Sequence, residues 1–270
     1  MGKFDGYLLL SDFDGTLAHT EKEILPDGTK VSKKVISQEN RDAVRYFQAE
    51  GGLFTLATGR QPVHVAQWAE EILPNTYISA LNGAYLYDAA TGEVLFSRPM
   101  DEGFIEIAQK VFSACPLLKE VRFTMLNDST VIKPDEPLIL PHNEPIYKLV
   151  FITPKETSDE YYATVRAIVG DEYLCMRSWI NGIEVQTKGT GKGDSITRMK
   201  AALGERARVA VAVGDYENDE DMVRAADIGY AVENAAPTLK EAADRITVPH
   251  HESAIAKIIE ELERDLLTER

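Results

Sequence analysis

The chain has 270 residues, and 44% of them are hydrophobic, which is enough for one large domain or two ordinary ones with a substantial core. Its 29 lysines and arginines stand against 44 aspartates and glutamates, so the formal net charge is −15. A field of that sign disfavours nucleic acid and anionic membranes as partners. An anionic ligand would therefore need a local cluster of cations or a metal ion.

Two further features favour a cytoplasmic location. The cysteines, Cys115 and Cys175, lie far apart and lack the spacing of a metal site, as expected for free thiols in a reducing compartment. The sequence has no signal-peptide pattern and no apolar run of membrane-spanning length.

The first chemical signal follows an apolar run near the start of the chain. Leu8-Leu9-Leu10 predicts a buried strand of a parallel sheet, and it leads into Asp12-Phe13-Asp14-Gly15-Thr16-Leu17. Asp12 suits a nucleophile, a metal ligand or both, and Asp14 suits a general acid or base. An acidic turn before Gly15 explains the same residues without any chemistry.

A second apolar run, residues 53–57, ends in Thr58-Gly59-Arg60. Here Thr58 is placed to hydrogen-bond an oxyanion and Arg60 to neutralise one. A helix-capping threonine and a solvated arginine are the alternative. Pro62 suits the first turn of the helix that follows.

Two more stretches also place polar residues where a predicted strand ends or a predicted helix begins. Lys192 precedes a predicted helix and is suited to hold an anion through its charge and the helix dipole, with Lys188 as a second candidate. The predicted strand 207–213 is followed by Asp215, Asn218 and Asp219, a set of oxygen ligands that suits Mg²⁺. Because parallel strands share one carboxyl edge, all four stretches are expected to meet in a single crevice.

The middle of the chain has a different character. Residues 84–183 contain short alternating apolar runs and two predicted helices, which is typical of an α+β unit with a mostly antiparallel sheet. We therefore predict an α/β fold: a doubly wound, Rossmann-like parallel-sheet core formed by residues 1–83 and 184–270, with residues 84–183 inserted as a second domain.

These motifs together resemble those of haloacid dehalogenase-superfamily phosphatases, and most closely the Cof-type sugar-phosphatase group, which has a large (C2-type) cap inserted after the second motif. Residues 12–17 resemble the first motif, 58–60 the second, 192–193 the third and 214–219 the fourth. The sequence Asn82-Gly83-Ala84 resembles the entry into the cap. The resemblance covers essentially the whole chain.

The resemblance implies a role for each site residue. Asp12 would be the nucleophile that forms an aspartyl-phosphate, and Asp14 the acid and then the base, a role that needs a raised proton affinity. The transferring phosphoryl group would be held by Thr58 and Lys192, with the backbone N–H of Gly59 and the charge of Arg60 assisting, and Asn218 would reach either the phosphate or Lys192. Magnesium would be bound by the Asp12 carboxylate, the Asp14 backbone carbonyl and Asp215, with Asp219 in support.

The sequence thus predicts a Mg²⁺-dependent phosphatase of a small phosphorylated metabolite, such as a sugar phosphate, acting as a monomer or small homo-oligomer. A phosphomutase using the same intermediate is one alternative, and a phosphate-binding regulatory module without turnover is another. The cap would choose the substrate; Arg122, Lys148 and Trp179 are candidates there, although surface or packing roles explain each of them as well. The pair His250-His251 carries no predicted metal role.

Overall fold

A computed structural model describes residues 2–72, 74–140 and 144–268. Its central sheet has five parallel strands in the order β15-β14-β13-β1-β4. The strands are β1 (Tyr7–Ser11), β4 (Leu53–Leu56), β13 (Val209–Gly214), β14 (Ile228–Val232) and β15 (Arg245–Thr247). The strands β1, β4 and β13 are almost wholly buried, which explains why they appear in the sequence as unbroken apolar runs.

Helices cover both faces of this sheet, as predicted. They are α1 (Gln38–Ala49), α2 (Pro62–Ile72), α5 (Lys192–Leu203), α6 (Glu220–Ala225), α7 (Pro237–Ala242) and α8 (Ala254–Thr268). Successive strand residues serve opposite faces: Leu9 packs in a cluster with Phe47 of α1 and Ile258 of α8, while Leu8 packs in another with Met199 of α5. The doubly wound α/β core is therefore confirmed.

A serine side chain caps the start of the first helix. The Ser37 side chain accepts a hydrogen bond from the backbone N–H of Asn40 at 3.2 Å, so it caps α1. The preceding stretch forms an exposed antiparallel hairpin of β2 (His19–Ile24) and β3 (Lys30–Val35). This hairpin ends beside the carboxyl edge of the central sheet, because Lys34 reaches Asp14.

A small antiparallel sheet joins the core to the rest of the chain. It consists of β5 (Tyr77–Ala80), β6 (Tyr85–Asp88) and β7 (Val94–Ser97). Leu86 of β6 and Phe96 of β7 pack in the same cluster as Leu8 of the central sheet. Residues 85–97 therefore share the core's packing.

The larger antiparallel sheet has the strand order β11-β12-β10-β8-β9. Its strands are β8 (Glu120–Thr124), β9 (Ser129–Ile132), β10 (Lys148–Ile152), β11 (Tyr173–Trp179) and β12 (Gly182–Thr187), and its helices are α3 (Phe104–Ala114) and α4 (Ser158–Val169). Both helices pack on one face of the sheet, against Phe123, Leu149 and Phe151. We call this unit (residues 98–187) the insert.

The α+β character predicted for the middle of the chain is thus observed. The predicted domain boundaries at residues 83/84 and 183/184 stay a prediction. Strands β6 and β7 follow the first boundary but pack with the core, and β12 extends past the second boundary within the sheet of the insert. Both Cys115 and Cys175 are free thiols, and within the described ranges no helix has the length and apolar character needed to cross a membrane.

Candidate active site

The carboxyl edge of the central sheet lies at the base of a cavity of about 410 Å³ between the core and the insert. Asp12, Thr58 and Asp215 enter it directly after the strands β1, β4 and β13. The loops and helix starts beside them contribute further polar side chains. The structure lines this cavity with Asp12, Asp14, Thr58, Gly59, Arg60, Gln61, His64, Arg122, Thr124, Ser129, Lys148, Val150, Ser178, Trp179, Glu184, Asp215 and Asn218.

Asp12 and Lys192 form an ion pair at the floor of this cavity. The Lys192 ammonium donates to Asp12 Oδ1 at 2.7 Å and to Asp219 Oδ1 at 2.6 Å. Lys192 is 0% exposed although it is the first residue of α5, so its charge is satisfied inside the protein by two carboxylates. The competing candidate Lys188 is exposed and lines a different cleft.

Burial and the neighbouring charges together set the pKa values of Asp12 and Lys192. It raises the pKa of Asp12 to about 7, and the charge of Asp219 adds to that rise while Lys192 opposes it. Burial alone would lower the pKa of Lys192, but its attraction to Asp12 and Asp219 outweighs burial and raises that pKa. The lysine is therefore a fixed positive charge beside the Asp12 carboxyl group.

Asp215 completes a cluster of acids with Asp12 and Asp219, whose carboxylate oxygens lie within 4.8 Å of one another. Burial and repulsion from Asp12 and Asp219 raise the pKa of Asp215 to about 9. Such mutual repulsion among hard oxygen ligands is relieved by a divalent cation, and a few carboxylates with open positions for water and phosphate suit Mg²⁺. The donor set fits that metal.

Asp219 also shapes the loop that carries Asp215. Its Oδ2 accepts hydrogen bonds from the backbone N–H groups of Asp215 at 3.0 Å and of Tyr216 at 3.2 Å. With Oδ1 bound to Lys192, both oxygens have partners. Asp219 thus holds the loop and the lysine in place, in keeping with a supporting position.

Asp14 differs from expectation. Arg60 grips its carboxylate with two hydrogen bonds, from Nε at 2.6 Å and from Nη2 at 2.9 Å, and Lys34 of the hairpin adds an ion pair at 2.7 Å. Burial would raise the pKa of Asp14, but the hydrogen bonds and charges of Arg60 and Lys34 lower it below the ordinary value. This is a correction: the raised proton affinity required of an acid is not present in this arrangement.

Thr58 and Gly59 line the same cavity. The Thr58 hydroxyl accepts a hydrogen bond from the backbone N–H of Arg60 at 3.2 Å. The carbonyl of Gly59 accepts one from the Lys148 ammonium at 2.8 Å. The first is a local contact within the loop, whereas the second comes from the insert.

Asn218 reaches the same cavity through a polar chain. Its Nδ2 donates to Asn82 Oδ1 at 3.2 Å, and Asn82 in turn donates to the Glu184 carboxylate. Asn82 is buried in the left-handed region with φ +52°, a conformation that asparagine tolerates better than most residues. Apart from Lys188, the structure brings together the residues proposed from the sequence for this site, while their chemical roles stay predictions.

The insert also contributes residues to the cavity. The sequence left the roles of some of them open and gave no signal for the others. In its antiparallel sheet, alternate side chains point away from α3 and α4 toward the cavity, namely Arg122, Thr124, Lys148, Val150 and Glu184. Arg122, Lys148 and Trp179 all line the cavity, and a role for them in substrate choice stays a prediction. Ser178 lies in an irregular stretch of β11, and its Oγ is buried without a hydrogen-bond partner among the residues that the structure describes.

The histidine pair lies in a short 3₁₀ helix before α8. His250 Nδ1 lies 2.8 Å from Asn234 Oδ1, which accounts for its position without a metal.

Comparisons with known proteins give one consistent result. A family model described as haloacid dehalogenase-like hydrolase matches residues 9–259. The 5-amino-6-(5-phospho-D-ribitylamino)uracil phosphatase YcsE of Bacillus subtilis (strain 168) is 24% identical over 252 residues, covering 93% of this chain and 94% of YcsE. YwtE of the same organism, which bears the same activity name, is 26% identical over 280 residues, covering 87% of this chain and 95% of YwtE.

A solved structure agrees in fold. The subclass IIB sugar phosphatase BT4131 superposes with a TM-score of 0.75 at 20% sequence identity, covering 94% of this chain and 98% of that one. The arrangement of a parallel core with an added antiparallel sheet is thus shared with it.

Proposed function

The chain belongs to the family of haloacid dehalogenase-like hydrolases and is a phosphatase, and from this premise we propose that it hydrolyses the phosphate monoester of a small metabolite with Mg²⁺, through an aspartyl-phosphate on Asp12. The observation that carries the proposal is the pairing of Asp12 with Lys192 at 2.7 Å inside the acidic cluster. A nucleophilic carboxylate must approach an anionic phosphate, and this approach requires fixed positive charge.

In the first step an oxygen of Asp12 attacks phosphorus, and the bond from phosphorus to the ester oxygen breaks. The transferring oxygens are held by the Lys192 ammonium, the Thr58 hydroxyl, the Gly59 N–H, Arg60 and Asn218. When Arg60 turns to the phosphate, Asp14 loses the cation that holds its pKa low, so it takes up a proton from solvent and transfers that proton to the oxygen of the leaving alkoxide.

In the second step Asp14, now a carboxylate, takes a proton from a water molecule. The oxygen of that water attacks phosphorus, the bond between phosphorus and Asp12 breaks, and inorganic phosphate leaves. The ion pair with Lys34 favours this ionised state of Asp14 while Arg60 holds the phosphoryl group. One carboxyl group thus donates a proton in the first step and accepts one from water in the second, and it returns this proton to solvent when Arg60 pairs with it again.

The metal would be held by the Asp12 carboxylate, the Asp14 backbone carbonyl and Asp215, with Asp219 in support. When bound, Mg²⁺ neutralises charge that develops on the phosphoryl oxygens. Lys192 alone faces two carboxylates, so it has no surplus positive charge to offer a phosphate without such a cation.

The residues that line the cavity support a proposal for the substrate class. Its walls combine hydroxyl groups, cations and the Trp179 ring, which suits a polar metabolite such as a sugar or polyol phosphate. The names of YcsE and YwtE add a phosphorylated ribityl compound to the substrates to test. We propose that residues 84–183 act as the cap over a core of residues 1–83 and 184–270; β12 crosses this boundary and stays paired in the sheet of the insert, so Glu184 belongs to the insert as defined above. The acidic net charge supports a small cytoplasmic metabolite over nucleic acid or a membrane surface as partner.

The proposal is tested by comparing wild-type protein with Asp12→Asn and Asp12→Ala on a panel of phosphate esters with Mg²⁺. Free phosphate and phosphate-migrated isomers are both measured. We expect phosphate release by wild type and its loss in both variants, with Asp42→Asn on the surface of α1 as the active control. Equal turnover by Asp12→Ala would refute the mechanism, and isomer formation without free phosphate would identify a mutase.

A further inference from the structure

We propose that Lys148 and Glu184, which belong to the insert, are positioning residues of the phosphoryl-binding site. On this view the insert completes the part of the site that binds phosphate, in addition to choosing the leaving group. The inference rests on the proposed function, because it assumes that Thr58, Gly59 and Asn218 bind the phosphoryl group.

Lys148 and Glu184 form a buried ion pair. Lys148 is 4% exposed and Glu184 is 2% exposed, and Lys148 Nζ lies 2.9 Å from Glu184 Oε1. They occupy neighbouring antiparallel strands, β10 and β12, on the face that points away from the helices of the insert. A buried ion pair by itself does little for stability, since a well-packed apolar pair performs as well or better. The pair therefore calls for another explanation.

The first explanation lies in the second contact of Lys148. Its ammonium donates to the Gly59 carbonyl at 2.8 Å, and the N–H of the same peptide unit, that of Arg60, donates to Thr58 Oγ1 at 3.2 Å. One end of the peptide is thus held by the insert and the other end orients the hydroxyl. With Oγ1 accepting from the backbone, the Thr58 proton is left to donate to a phosphoryl oxygen.

The second explanation lies in the other oxygen of Glu184. It accepts from Asn82 Nδ2, and Asn82 Oδ1 accepts from Asn218 Nδ2 at 3.2 Å. The Asn82 backbone N–H also donates to the Thr58 carbonyl at 2.9 Å. The ion pair thereby connects Asn218 on one side of the site to the loop of Thr58 on the other.

Each member of the pair also makes a hydrogen bond outside the pair, and an apolar side chain in its place could not make that hydrogen bond. Substitution of Lys148 would release the Gly59–Arg60 peptide and leave the Glu184 charge buried without its cation. Because both effects act on phosphate-binding groups, the consequences should be the same for every leaving group. If instead Lys148 contacts the leaving group directly from the cavity wall, its loss should affect some substrates and spare others.

The experiment separates these roles by using a ligand that has no leaving group. Binding of inorganic phosphate to the Mg²⁺-loaded protein is measured by calorimetry for wild type, Lys148→Met and Arg122→Met. In parallel, kcat/KM is measured on three esters that differ in leaving-group size. Lys110→Met on the exposed face of α3 is the neutral control.

We expect Lys148→Met to weaken phosphate binding about tenfold or more and to lower kcat/KM by a similar factor on all three esters. Arg122→Met should leave phosphate binding unchanged and lower kcat/KM unequally. Unchanged phosphate binding in Lys148→Met, with unequal losses among the esters, would overturn the positioning role.

Stability is separated from positioning by the double variant Lys148→Met with Glu184→Leu. It removes the uncompensated charge, so we expect it to recover thermal stability while phosphate binding stays as weak as in Lys148→Met. Recovery of phosphate binding together with stability would show a merely structural role. If wild type releases no phosphate from any ester, the proposed function fails, whereas phosphate binding by the variants still decides the positioning role.

Discussion

The Arg60 guanidinium grips the Asp14 carboxylate with two hydrogen bonds, at 2.6 Å from Nε and 2.9 Å from Nη2. The sequence predicts that both residues face the phosphoryl group, and in this arrangement they face each other. Lys34 of the hairpin joins them. The resting protein therefore keeps Asp14 ionised, which suits its proposed role as base and requires a rearrangement before it acts as acid.

Substitution of Lys34 should change the pH profile. Lys34→Met removes one of the groups that lower the pKa of Asp14, so that pKa rises. Since the base must be ionised, the acidic limb of the kcat profile should move to higher pH, by up to about one unit for a half-exposed ion pair. An ester with a good leaving group keeps the base step visible. Lys33→Met, on the adjacent exposed position of β3, should leave the limb in place; a shift of equal size there would contradict this explanation.

Replacement of Gly15 should damage the acidic cluster specifically. Gly15 has φ +85°, and a Cβ there would lie 2.4 Å from Asp215 Oδ2. Gly28 has a matching φ of +84°, and a Cβ added there would meet nothing within 4 Å, so it is a control for backbone strain alone. Gly15→Ala and Gly28→Ala should both lose about 1–2 kcal/mol of unfolding free energy in urea, from the left-handed conformation.

Only Gly15→Ala should also require more Mg²⁺ for half-maximal activity, because the added methyl group displaces the Asp215 carboxylate. Identical Mg²⁺ titrations for the two variants would disprove the link between Gly15 and the cluster.

Magnesium should stabilise the protein more at high pH than at low pH. Burial, with repulsion from neighbouring acids, raises the pKa of Asp12 to about 7 and that of Asp215 to about 9. Relative to the unfolded chain, the folded metal-free protein holds extra protons between about pH 4 and pH 9, so its stability falls as pH rises through that window. Magnesium competes with those protons, and its stabilising effect grows accordingly.

Thermal unfolding with and without Mg²⁺, at about pH 6 and about pH 9, measures this effect. The rise in Tm on adding Mg²⁺ should be clearly larger at the higher pH and should be nearly abolished in Asp215→Asn. An equal rise at both pH values in wild type would indicate that the cation binds elsewhere.

Much of the core and of the site follows from local sequence. Asp12, Thr58 and Asp215 each follow an apolar strand, and parallel strands bring their carboxyl ends to one edge of a sheet. Lys192 begins a helix at the same edge. The position of these residues in the sequence was therefore enough to predict that they lie close together.

Two features could not be predicted in this way. The alternation around Lys148 shows that it and Leu149 face opposite ways, but only the packing of the insert decides which face meets the core. Likewise Lys34 and Arg60 reach Asp14 through tertiary contacts whose geometry has no sequence signature. Partners that lower a pKa in this way are visible only after folding.

The most direct test is to trap the phosphoryl group on Asp12. An Asp14→Asn variant cannot supply the base for hydrolysis, whereas an ester with a good leaving group needs no acid in the first step. After acid quenching, peptide mass spectrometry should find one phosphoryl group on Asp12 in Asp14→Asn with Mg²⁺, and none in Asp12→Asn. Phosphate release by wild type with no phosphoryl group on Asp12 in the trapping variant would contradict the account.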